Sequence, residues 1–279
     1  MKNPRLANTG IFPALSFAFK LLIGIVIISP LLLGVSYSFM SLSEMASIPP
    51  RLIPRSPVIY TYRRVFTAFP LFRFMFNSFV VCAIVITAQF FTCSLAAYAF
   101  AFHRFKGERF IFFLILSTFM IPADTIIIAN FLTITRIRLE DSYAGLVAPY
   151  LTGAMGIFLM RQFFLTIPRE LQEAAVIDGC RDLRFLFLIV LPVSKPALAS
   201  LGVYTFISVY NQYLWPLLVT NTDRMRTVQV GIGFLRAEEA VDYGIVLAGA
   251  ALVLIPAVIV FITGQRYLVS GMTEGAVKG

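Results

Sequence analysis

Glu173, Ala174, Ala175, Asp178 and Gly179 lie within two helical turns of one another, and their chemistry is that of recognition. Two carboxylates can meet cationic side chains, and the alanines let another backbone come close. Pro168 suits the first turn of a helix, with Thr166 or Ile167 as its cap. Glu170 then complements the helix dipole. Leu171, Ala174, Ala175 and Asp178 share one face at i, i+3, i+4, i+7 spacing, and Gly179 fits the left-handed position that ends a helix. Asp182 is expected to cap a second short helix ending before Pro192. The product is a helix–Gly–helix knob with an Ala-Ala crest and flanking acids. It either docks into a groove on another protein or closes the bundle as an ordinary interfacial helix.

A second set consists of polar side chains inside apolar runs, where such groups mark functional positions by default. Asn211 and Gln212 can hydrogen-bond a polyol or sugar, while Tyr213 and Trp215 can stack on one or anchor at the interface. Pro216 is expected to break the helix there; the competing reading is helix–helix glue with a kink. Asp124, beside Pro122, sits either at a water-facing break or at a helix end near headgroups, and Asn130 shares both readings. Gln89 is a weaker candidate for lining a pathway. Gly153, Gly156, Gly244, Ala248 and Ala251 read as close-packing positions. His103, in a basic turn with Arg104, Lys106 and Arg109, reads as a headgroup contact.

Catalytic alternatives lack parts. One histidine, no HExxH and a single acid inside the apolar runs build neither a zinc site nor a carboxylate dyad. Cys82, Cys93 and Cys180 show no metal or disulfide spacing. None of the five lysines follows a glycine, so no phosphate-cradling Walker A loop exists. If ATP drives this protein, a partner hydrolyses it.

These residues need elements to hold them, and the composition says which. Of 279 residues 59% are hydrophobic and 13% charged, against about 45–50% and about 25% in soluble domains. Lipid is the expected solvent. Uncharged runs long enough for a ~30 Å hydrocarbon core predict six transmembrane helices, at about 18–40, 76–101, 110–133, 142–160, 197–220 and 243–264. The fold class is therefore all-α and polytopic, with 1–279 a single membrane domain. Two pieces fall outside the membrane, 41–73 and 161–195. The net charge is +9, and its 23 Lys/Arg divide as 13 on the side of both termini and 10 on the other. That margin places both termini and 161–195 in the cytoplasm and 41–73 in the periplasm, and it points to lipid headgroups, with no nucleic-acid partner.

The motif then becomes recognisable. Glu173-Ala174-Ala175, Gly179, Ile189 and Leu191-Pro192 match the EAA loop of ABC importer permeases in every spacing. Asn77-Ser78, Asp141 to Leu146, Phe158 to Phe164, Asn211 to Leu217 and Gln265-Arg266-Tyr267 also resemble the carbohydrate-importer branch of that family. The resemblance covers roughly residues 15 to 270 and implies the type I importer fold. It implies that Glu173, Ala174, Ala175, Asp178, Gly179, Arg181, Ile189 and Pro192 couple the chain to a cytoplasmic ATPase dimer. It further implies a second permease subunit, an extracytoplasmic substrate-binding protein, a bacterial inner-membrane location, and no cofactor on this chain, with ATP and Mg on the partner ATPase. Among relatives it looks most like permeases for glycerol-3-phosphate, and is similar to maltose-type ones, so a sugar or oligosaccharide is the other substrate class. No basic residue lies mid-span to hold a phosphate. The alternative function is an ion-coupled secondary transporter, for which Asp124 and Pro122 speak and the missing internal repeat does not.

Overall fold

The computed structural model describes residues 11–238 and 242–273, and all the regular structure among them is helical. In chain order the helices are α1 Ile11–Ser38, α2 Leu42–Met45, α3 Tyr60–Ala68, α4 Leu71–Phe102, α5 Glu108–Ser117, α6 Ala123–Arg136, α7 Tyr143–Val147 and α8 Ala154–Phe164. They continue as α9 Arg169–Ile177, α10 Asp182–Phe185, α11 Leu191–Val193, α12 Lys195–Tyr210, α13 Leu214–Val219, α14 Val228–Glu238 and α15 Tyr243–Thr273.

Three helices are long and apolar enough to cross a bilayer by themselves, within α1, α4 and α15. Three more crossings arise if each bent pair counts as one span, giving up to six. The bends have local causes. Glu108–Met120 and Asp124–Arg136 meet at 100° across Pro122. The proline ring pushes Ile121 out of the helical region, to φ −88°, ψ 114°. Tyr143–Tyr150 and Ala154–Phe164 meet at 51°, with Gly153 extended between them. Asp182–Val193 and Lys195–Tyr210 meet at 79° around Ser194, whose hydroxyl donates to Val190 O at 2.6 Å.

The fifth apolar run differs from its sequence reading. The helix stops at Tyr210 and restarts at Leu214, so the break lies at 211–213 and not at Pro216. Pro216 is the third residue of α13, within the first turn, where a backbone N–H has no intrahelical partner to lose.

The described residues fall into two compact units. One holds the residues up to Ala68 together with Leu235–Leu252. In it Thr61 Oγ1 donates to Ser38 O at 2.8 Å, and the Ser38 and Tyr62 hydroxyls share a hydrogen bond of 2.7 Å. Tyr60 donates to Asp242 at 2.6 Å, a bond to a carboxylate that pushes the phenol up to about 12. Along α1 no residue from Leu15 to Tyr37 is buried, and burial begins only at Ser38.

The other unit comprises Phe69–Phe234 and the residues from Val253 on. Its centre is α4, packed against α8 and α12. Small residues permit that approach: a Cβ on Gly156 would stand 2.7 Å from Cys93 Sγ. The core gathers Cys93, Ala97, Tyr98, Met160, Phe164, Phe185, Leu186, Val190 and Leu201, and it extends to Ala175 on α9. The cysteines are free, and Cys82 and Cys93 are buried.

Candidate functional site

The segment 161–195 forms the expected hairpin. Helix α9 ends at Ile177 with Asp178 as its C-cap, and Gly179 takes the left-handed conformation at φ 72°. Gly179 N–H donates to Val176 O at 3.0 Å and Cys180 N–H to Ala175 O at 2.8 Å, the paired bonds of a Schellman motif. Glu173, Ala174, Asp178, Gly179 and Arg181 are exposed, and a Cβ added at Gly179 would meet nothing within 4 Å.

Four details correct the sequence reading. Ala175 is not on an exposed crest: it is 5% exposed and packs into the core, so only Ala174 faces outward. The cap of α9 is Pro168, not Thr166 or Ile167, while Thr166 Oγ1 donates backward to Phe163 O at 2.7 Å. Asp182 caps nothing. It is the first residue of α10, Arg181 holds the cap position without a side-chain bond, and Asp182 lies 3.9 Å from His103 Nε2. Nor does that second helix end before Pro192. It runs through a π-helical turn, Leu186–Val190, into α11, which includes Pro192.

That turn ties the hairpin to the spans. Phe185, Leu186 and Val190 are buried, and Phe185 meets Phe102 edge-on at 5.6 Å between ring centroids. Ile189 is half-buried against the same core. A displacement of α9 therefore moves packed side chains on α4 and α12, because a close-packed interior transmits strain.

The polar residues of the apolar runs divide. Asp124, Asn130, Gln212, Tyr213 and Trp215 line one cavity of about 390 Å³, with Tyr150 and Ser208 beside them. The break at 211–213 turns Gln212 and Tyr213 into it, and Pro122 sets Asp124 in the first turn of α6. Tyr150 and Gln212 line the cavity together. Tyr213 packs against Gly233, where a Cβ would stand 2.7 Å from the ring. Trp215 is 3% exposed and its indole N–H donates to Leu146 O at 3.2 Å, so little of the ring is open to stack on a ligand.

Asn211 and Gln89 lie outside the cavity lining. Asn211 donates to Ile207 O at 2.9 Å and accepts from Gln229 at 3.3 Å. Gln89 is glue within the bundle, donating to Tyr150 O at 2.9 Å and accepting from Thr205 at 2.8 Å. Both ends of this buried amide are thus engaged within the chain. Among the described residues, no group of three or more His, Cys, Asp or Glu is placed to hold a metal ion.

The other sequence blocks act as joints. Asn77 donates to Arg224 O and Arg226 O at 3.0 and 2.8 Å, and accepts from Tyr143 at 2.7 Å. Asp141 accepts from Asn221 N–H, Thr222 N–H and Thr222 Oγ1, the last at 2.6 Å. Partial burial works against its charged form, but these bonds and the nearby Arg226 outweigh it and hold the carboxyl below its usual range.

With this geometry in view, comparison with known proteins is decisive. The family described as "Binding-protein-dependent transport system inner membrane component" matches residues 11–274. The chain belongs to this family. The sn-glycerol-3-phosphate transport system permease protein UgpE of Rhizobium meliloti is 38% identical over 266 residues, covering 91% of this chain and 94% of that protein. UgpE of Brucella abortus is 35% identical over 264 residues, with the same coverage. The arabinooligosaccharides transport system permease protein AraQ of Halalkalibacterium halodurans is 32% identical and covers 95% of each chain. Among solved structures, a chain of a bacterial ABC transporter that imports the acidic polysaccharide alginate superposes with a TM-score of 0.78 at 25% identity, over 95% of this chain and 99% of that one.

The protein is thus a multi-pass inner-membrane permease of a binding-protein-dependent ABC importer, and the subunit itself lacks ATPase activity. Such an importer includes an ATPase and a binding protein as partners. Sequence reasoning missed Tyr150 and Ser208 as cavity residues in this permease. Both sit in apolar stretches without a charge, and the bends that follow them bring them to the cavity.

Proposed function

We propose that the permease couples to its ATPase through the 161–195 hairpin and passes a hydroxyl-rich solute along the cavity beneath Asp124 and Tyr213. The observation that carries this reading is the division within one short helix. Ala175 and the Schellman turn anchor it inward, while Glu173, Ala174, Asp178 and Gly179 are left exposed with no partner surface. A polar knob on a packed mount suits a protein groove better than lipid.

In this reading the hairpin and both termini face the cytoplasm, and residues 41–73 face the periplasm. A second permease completes the pathway, and the bare apolar length of α1 is available to it or to lipid. ATP and Mg bind the partner, and closure of the ATPase dimer moves α9 and, through Phe185, the spans.

The substrate reading is a sugar or oligosaccharide. One carboxylate, two amides and aromatic side chains line the cavity, a set suited to hydroxyl groups, and no arginine or lysine lines it for a phosphate. Glycerol-3-phosphate is the second reading, supported by the likeness to UgpE. Binding of sugars against glycerol phosphates by the cognate binding protein separates the two.

The coupling reading is tested by cross-linking. With Cys180 replaced by Ser, an Ala174→Cys variant should form a bifunctional-reagent cross-link to the ATPase. A cross-link to lipid-facing or periplasmic reagents alone overturns the reading.

A further inference from the structure

A larger cavity, about 770 Å³, opens beside the hairpin among the end of α4, the start of α5, the end of α8 and the start of α9. Four arginines line it, Arg104, Arg109, Arg161 and Arg169, against a single acid, Glu108. Arg161 forms its wall. Its guanidinium lies 4.3 Å from the centre of the Phe112 ring, donates to Phe100 O at 3.2 Å, and stands 3.7 Å from Glu108. Glu108 is thereby engaged. Arg104, Arg109 and Arg169 are exposed at the cavity and have no carboxylate in ion-pair reach among the described residues. Like charges gathered in a concave site raise the local concentration of anions.

The setting narrows the anion. The cavity lies just past Phe102, where the apolar length of α4 ends, so it sits at headgroup depth. The flank beside it is oily: Phe110, Phe113 and Leu114 on α5 are each more than half exposed. Arginine forks match phosphate oxygens in pairs. Basic pockets between spans at a membrane surface take phosphorylated headgroups.

We propose that this cavity binds a phosphate group, supplied either by an anionic lipid headgroup or by phosphate free in solution. The site is separate from the Asp124–Tyr213 cavity. Because Arg169 and Gln172 of α9 line it, an occupant bridges the hairpin to α4 and α5 and steadies the mount on which the hairpin rides. This does not depend on what the hairpin docks into.

The test uses the intact importer complex in neutral detergent, titrated with phosphatidylglycerol or cardiolipin, with phosphatidylcholine, and with inorganic phosphate. Native mass spectrometry counts adducts, and thermal unfolding reads stabilisation. Arg104→Gln with Arg109→Gln should weaken binding of the anion about 25-fold, at about fivefold per arginine. Arg104→Lys with Arg109→Lys should keep most of it, and Arg224→Gln, outside the cavity, should change nothing. Anionic-lipid adducts lost in the glutamine variant identify the headgroup as the source. Phosphate stabilisation lost in the same variant identifies free phosphate. Equal binding by wild type and glutamine variant overturns the proposal. So does the absence of both ligands from the complex, the result expected if an acidic face of the ATPase closes over the arginines.

Discussion

Cys180 closes the hairpin onto Ala175: its N–H donates to the Ala175 carbonyl at 2.8 Å, across the left-handed Gly179. One residue is thus both the buried anchor of α9 and the acceptor that fixes its end. The exposed residues on either side of it, Ala174 and Asp178, inherit their positions from that joint.

Replacing the two alanines in turn separates mount from docking face. Ala175→Leu forces methylenes into a packed core and should destabilise the permease by about 1–3 kcal/mol. Ala174→Leu should leave thermal stability of the isolated permease within about 0.5 kcal/mol of wild type and reduce ATPase retention instead. Thermal unfolding and co-purification, run side by side, check both. Equal stability losses would contradict the inward and outward assignment.

Asp141 predicts a pH dependence. Its folded-state carboxyl titrates below the usual value, so its stabilisation is complete above the unfolded value, about 4, and is lost as pH falls through the lower folded one. Asp141→Asn should therefore lower Tm by a constant margin between pH 7 and pH 5, and the margin should shrink only at more acid pH. Tm measured against pH for both proteins decides it; a margin that closes near neutral pH contradicts the assignment.

Gln89 should matter for stability and not for substrate choice. Gln89→Leu strands the Tyr150 carbonyl and the Thr205 hydroxyl in the bundle, at about 1–3 kcal/mol for each group left unsatisfied. Residual transport should keep the wild-type ranking of substrates. A changed ranking with unchanged Tm would return Gln89 to the pathway.

Gly233→Ala should act on the cavity through Tyr213, whose ring stands 2.7 Å from the added methyl position. Transport should fall while ATPase retention is unchanged. Tyr213→Ala, combined with it, should relieve the clash and recover part of the loss; no recovery would show that Gly233 acts elsewhere.

Much of this was legible in the residues. Gly179 announced its left-handed turn because a helix-period pattern stopped at it, and Pro122 marked its break. Which alanine faces inward was not legible. Successive helical positions point about 100° apart, and the sequence does not say on which side the bundle lies. Asp182 and Pro216 misled for a related reason. A capping residue and a first-turn residue differ by one position, and only the backbone shows that the chain breaks at 211–213, three residues before the proline. Gln89 and Trp215 looked available because polar groups in apolar runs need partners. Their partners, Tyr150, Thr205 and Leu146, are far away in the chain.

The most direct measurement is ATPase retention by a Gly179→Asn variant. Asparagine tolerates the left-handed backbone, and no described residue comes within 4 Å of a Cβ there, so the permease itself should keep its helicity and Tm. If the hairpin is the coupling surface, the added side chain should strip the ATPase from the purified complex or abolish transport. A variant that assembles with the ATPase and transports at the wild-type rate would contradict the account.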